Sequence, residues 1–148
     1  MRNLRSMRMA LLGRARSEVG VTIVEFALSL HLLLAMVFGI LAVGSALYTY
    51  NFVSDAAREG ARYAIVRGSG CTVAGCPATN ASIQSYIAGL GYPGILASNL
   101  TVATTWTPNN SSGSVVQVKV TYNFPYSVPF VSSSTLSMTS TSQMVMSQ

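Results

Sequence analysis

Hydrophobic and polar positions divide this chain into two regimes. From Phe26 through Leu47 it reads FALSLHLLLAMVFGILAVGSAL, without a Lys, Arg, Asp or Glu. A helix of about 20 apolar residues spans the hydrocarbon core of a bilayer, so the run predicts one transmembrane helix. The helical pattern continues past it. YTYNFVSDAAREGARYAIVRG contains no Pro and repeats small residues at Ala56, Gly60 and Ala64, one face at i, i+4 and i+8. Gly68, Ser69 and Gly70 are stop signals. The expectation is a transmembrane and stem segment over 21–68, helical from Val21 to Val66 and roughly 70 Å long at 1.5 Å per residue. Within the apolar run, Ala35, Gly39 and Ala42 fall at i, i+4 and i+7, a seam that lets helices approach closely in a bilayer. On the stem, Asp55 can reach Arg58 and Glu59 can reach Arg62, each a weak exposed pair at i+3.

Beyond Gly70 the periodicity shortens. TNASIQSYIAGL, over 79–90, puts Ile83, Tyr86, Ile87 and Leu90 on one face and predicts a short amphipathic helix. Three β-rich runs follow, near Leu100 to Trp106, Val115 to Phe124 and Leu136 to Val145, separated by PNNSSG and by the Pro-containing SVPFVSSS. In VVQVKVTYNF, the residues Val116, Val118, Val120 and Tyr122 share a face. The fold class expected is α+β: a long N-terminal transmembrane/stem α-helix, then a short helix and a small antiparallel β-sheet of about three strands. A meander with its apolar face on the stem is the economical arrangement. Its outward face, rich in Ser and Thr, suits contact with other subunits or is an ordinary low-charge secreted surface.

Composition matters here through position. Of 148 residues, 50% are hydrophobic and 9% charged, with a net charge of +5. Arg2, Arg5, Arg8, Arg14 and Arg16 precede the apolar run, Arg58, Arg62 and Arg67 follow it, and Lys119 is the only charged residue after Arg67. Glu18 is the one acid among the upstream arginines. The positive-inside rule therefore places the N-terminus, with the basic leader over 1–20, in the cytoplasm and everything after Tyr48 outside, including the small domain over 69–148. Nucleic-acid binding is excluded, because no basic face carries interleaved aromatic residues.

Candidate chemistry is sparse. His31, the one titratable group within the apolar run, reads as a neutral imidazole bonded to a backbone carbonyl; a proton or metal role finds no second ligand at helical spacing. Cys71 and Cys76 predict a disulfide in an oxidising compartment, with zinc as the competing reading. Closing so short a loop contributes less than the ~3 kcal/mol of a 15-residue loop. Arg58, Glu59 and Arg62 read as a solvated helix face. Asn80, Asn99, Asn109 and Asn110 each begin an N-x-S/T tripeptide, to which no role is assigned. With no metal-ligand cluster, no phosphate loop and the sole His in the membrane run, the expectation is a non-enzyme with no cofactor and no small-molecule substrate.

Glu25 is the residue that a plain membrane anchor explains least. A carboxylate at the edge of the hydrocarbon core costs several kcal/mol unless neutralised or paired. It stands in GVTIVEF, Gly20 through Phe26. A cut after Gly20 would make Val21 the first residue and Glu25 the fifth. In a filament of parallel, staggered helices, the carboxylate of one subunit then meets the new α-ammonium of its neighbour.

A basic leader, Gly20, four apolar or small residues and Glu25 resemble the prepilin-peptidase site of type IV pilins. VEFALSLHLLL (Val24 through Leu34) and DAAREGARYAIVRG (Asp55 through Gly68) narrow this to a resemblance to the TadE-like family of the tight-adherence (Tad) pilus system. VKVTYNFPYSVPF and the Ser/Thr-rich final strand resemble it more weakly. His31 departs from the family pattern, which usually shows Pro or another apolar residue there.

The resemblance implies a pilin-like subunit, a minor pilin or pseudopilin, of a Tad-type pilus assembly or secretion system. It implies a single-pass protein of the bacterial inner membrane that enters a cell-surface pilus and serves in adhesion. Its implied partners are a prepilin peptidase, other pilin-like subunits and the Tad assembly machinery. The size of the outer domain favours a minor, priming or tip component. Two alternatives stay open. Gly44, Ser45 and Ala46 have the small residues of a signal-peptidase site, giving a secreted binding protein that starts at Leu47. Alternatively, the leader is kept and the chain is an anchored periplasmic scaffold.

Overall fold

The computed structural model describes the backbone over residues 3–126 and 134–147 and the side chains from Gly20 onward. The Pro-containing connection expected before the last strand lies outside the described residues except for Ser134, as do the side chains of the leader.

Helix α1 runs over Asn3–Ile65, 63 residues. It begins well before the expected start at Val21. NLRSMRMALLGRARSEVG contains no Pro and consists largely of good helix formers, and Gly13 and Gly20 each cost only about 1 kcal/mol relative to Ala. Helical structure also continues through His31. At the far end, Arg67 N donates to Ala64 O at 3.0 Å, and Ser147 N and Oγ donate to Ile65 O at 3.1 and 3.0 Å. Carbonyls that a helix end leaves unpaired are thus satisfied from the loop and from the residues that follow the last strand.

The chain forms two compact units, Met1–Leu41 and Ala42–Gln148. In the first, the side chains from Gly20 onward face outward, with only Gly39 half-buried. An 18-residue window of this helix has a mean hydropathy of 2.5 with none of it buried. Length and composition make this a candidate membrane span.

The second unit is built on the remainder of α1. Thr49, Phe52, Val53, Ala56, Ala57, Gly60, Ala61 and Ala64 are buried, a stripe at i, i+3, i+4 and i+7 that repeats along the stem. Against it pack helix α2, Asn80–Ala88, and a three-stranded antiparallel sheet in the order β1-β2-β3. Strand β1 spans Leu100–Thr107, β2 Val115–Tyr126 and β3 Ser134–Val145. Tyr122 faces Leu100 on one side and Met138 on the other. The inward row of β2 is Val116, Val118, Val120 and Tyr122, each at most 2% exposed. Fully burying a Val or Ile side chain stabilises a fold by about 1.5–3 kcal/mol before entropy is counted. Phe52 anchors the aromatic end of this core, edge-on to Tyr92 at 4.8 Å and to Tyr122 at 6.1 Å. Thr79 caps α2 through a reciprocal pair with Ser82, with Ser82 N on Thr79 Oγ1 at 3.2 Å and Thr79 N on Ser82 Oγ at 2.8 Å.

Candidate functional site

Val21 and Glu25 lie one helical turn apart, so their side chains share a face of α1. Gly20, Val24 and Leu28 complete this shallow strip. Every residue of it is solvent-exposed, with Val21 at 65% and Leu28 at 68%. Among the described residues no cation lies within ion-pair distance of Glu25. The strip therefore offers an acid amid apolar side chains and, at Gly20, a position where no side chain among the described residues lies within 4 Å of where a Cβ would stand. Ala35 is exposed, and Gly39 and Ala42 are half-buried.

The stem carries its charges and its small residues on opposite faces. Arg58 sits 3.7 Å from Asp55 and Arg62 2.9 Å from Glu59, the two pairs expected at i+3. Their exposure limits each to a few tenths of a kcal/mol. Ala56, Gly60 and Ala64 instead face the interior. A Cβ on Gly60 would lie 3.0 Å from Ile87 Cδ1, 3.1 Å from Val118 Cγ1 and 3.3 Å from Ile83 Cγ2. This small-residue row is where α2 and the sheet approach α1 within the same chain. The Tyr92 phenol is pushed above its usual range by burial first, then by the carboxylates of Asp55 and Glu59 and by Tyr48. Beyond the stem, Cys71 and Cys76 form a disulfide with Cα atoms 5.8 Å apart. Arg67 lies over the Tyr63 ring at 3.8 Å, and Tyr63 stacks on Tyr86 at 4.4 Å, so the end of α1 is clamped to α2.

Several contributors escape a reading of the sequence. Ala57 and Ala61 form a second buried row that an i+4 count alone passes over. Asn80 Oδ1 accepts from Thr104 N on β1 at 2.9 Å, and Asn109 Oδ1 accepts from Ser111 N at 3.2 Å and from Ser114 Oγ at 2.8 Å. Both asparagines thus serve the backbone. Among the described residues no three His, Cys, Asp or Glu side chains come together as a metal site.

Residues 20–62 match the family model described as TadE-like protein. This stretch is similar to a TadE-like domain. The match opens on Gly20, includes Glu25 and ends on Arg62 of the stem, so it covers the strip and most of the charged face. The residues after Arg62, including the tail with its weaker resemblance, lie outside it. No curated protein and no solved structure matches the chain. A TadE-like domain carried on a long apolar helix fits a membrane-anchored protein associated with the Tad pilus.

Proposed function

We propose that the chain is a pilin-like subunit, a minor pilin or pseudopilin, of a Tad-type pilus assembly or secretion system, and that it performs no catalysis itself. A prepilin peptidase cuts between Gly20 and Val21 on the cytoplasmic side of the inner membrane. Val21 then presents an α-ammonium at a new helix N-terminus, where the peptide dipoles already favour a nearby anion. Glu25 of a neighbouring copy supplies that anion, and the pair sets the register between subunits. Residues 69–148 lie outside the membrane, a placement supported by the arginines upstream of the apolar run and by the Cys71–Cys76 disulfide.

The observation that carries this reading is Glu25 itself, in an exposed apolar strip and without an ion-pair partner among the described residues. A carboxylate there is costly in a bilayer unless a cation from elsewhere joins it. N-terminal sequencing of the protein from its native host tests the proposal. A start at Val21 is expected. A start at Leu47 would mark a signal-peptidase product, and an intact leader a permanently anchored scaffold; either overturns it.

A further inference from the structure

The inward row of β2 is covered by protein at one end and open at the other. Val116, Val118 and Val120 are fully buried and Tyr122 nearly so, but further along the row Phe124 and Tyr126 are only half-buried. Leu136, the register partner of Phe124 on β3, is 48% exposed. These three side chains line an open groove of about 160 Å³ whose other wall is Ala42, Val43 and Ala46 of α1. No residue after Lys119 is charged, so nothing ionic rims it.

The wall of the groove belongs to the uncharged run 26–47. Counted along the sequence from Phe26, the roughly 20 helical residues that fill a hydrocarbon core end near Ala46. The sheet residues facing Ala42, Val43 and Ala46 therefore stand at the depth of the outer membrane boundary. Aromatic side chains gather at that level: Tyr48 and Tyr50 are exposed on α1, and Tyr126 closes the groove. Tyr favours the boundary because its ring is apolar and its hydroxyl wet.

We infer that this end of the sheet docks on the membrane that α1 enters, with Phe124, Tyr126 and Leu136 in the outer boundary region and lipid acyl chains filling the groove. The inference rests on α1 being the membrane anchor and is independent of processing at Gly20. Strand β1 stops pairing at Tyr122, so beyond it β2 has only β3 beside it. Open strand edges are not tolerated in hydrocarbon. The contact is accordingly interfacial, where water still reaches the backbone, and Pro125 removes one N–H group from that open stretch.

Fluorescence quenching tests it on the full chain, reconstituted in phosphatidylcholine/phosphatidylglycerol vesicles whose phosphatidylcholine is brominated on its acyl chains. Native Trp106 pairs with Val116, and Tyr126 is roughly 30 Å further along β2 at 3.4 Å per residue, so Trp106 serves as the remote reference. Reporters at Tyr126→Trp and Leu136→Trp are placed in a Trp106→Phe background, with Leu33→Trp marking the apolar run. Both groove reporters are expected to be quenched several-fold more than native Trp106 and less than Leu33→Trp. If Leu33→Trp is quenched and both groove reporters match Trp106, docking is overturned and the anchor stands. If none is quenched, the anchor reading falls as well. Unquenched, blue-shifted groove reporters whose shift disappears as protein is diluted into lipid would assign the groove to a second copy of the chain, also overturning the proposal.

Discussion

At Gly60 the backbone of α1 comes within side-chain reach of Ile83, Ile87 and Val118, and only hydrogen fits there without displacement. Gly60→Leu is expected to destabilise the second unit by about 1–3 kcal/mol, the range for overpacked cores. Gly60→Ala gains about 1 kcal/mol of helix propensity and needs only the ends of three side chains to yield, so it should stay close to the natural protein. Urea titration of both variants in detergent separates them; equal midpoints would refute the close approach. Under the proposed function, Glu25 answers to a partner outside its own chain. Glu25→Ala should leave cleavage after Gly20 largely intact while lowering incorporation into pili, read as the subunit's share of sheared filaments. Undiminished incorporation would remove the proposed cross-subunit pair.

Among the elements, β1 is one of the sheet's two edge strands, and its outer edge needs cover. Helix α2 provides it with two side chains one turn apart, Asn80 accepting from Thr104 N at 2.9 Å and Gln84 Nε2 donating to Leu100 O at 3.1 Å. An uncovered edge is a template for pairing with other chains, and these bonds blunt it. Asn80→Ala strands a backbone N–H on Thr104, which is 6% exposed. The expected cost is about 1–3 kcal/mol. Hydrogen exchange should accelerate at Thr104 and much less at Val118 in the centre of the sheet. Unchanged exchange at Thr104 would show that α2 does not hold this edge.

For the whole molecule, the contact that closes the second unit joins residues far apart in the chain. Met146 is 2% exposed, its N–H donates to Ser114 O at 2.7 Å, and its carbonyl accepts from Gly113 N at 3.0 Å. Ser147 then reaches Ile65 at the end of α1. Met146→Ala should cost about 2–5 kcal/mol, as buried large-to-small changes do. The same change at half-buried Met144 should cost less, measured by thermal unfolding of the full chain in detergent. Equal losses would mean that burial at Met146 is not what closes the unit.

Much of this architecture was legible because it is local. A run without charge, a period-2 strand and an i+3 ion pair are set by residues within a few positions of each other. The apolar span, the three strands, α2 and the Asp55–Arg58 and Glu59–Arg62 pairs accordingly lie where the sequence puts them. Helix α1 starts at Asn3 and not at Val21, because the expected start followed the proposed cut after Gly20, whereas an uncut leader without Pro has no reason to leave the helix. Periodicity names the face that is buried and not what buries it. Ala56, Gly60 and Ala64 were visible as a row, but only the tertiary structure set α2 and β2 against it and added Ala57 and Ala61. The amino-acid order by itself determined an apolar helix bearing one isolated carboxylate, followed by a small α+β unit. Folding decided which side chains seal that unit, through Asn80 on β1 and Met146 beside Ser114, because those contacts depend on chain crossings that no local pattern encodes.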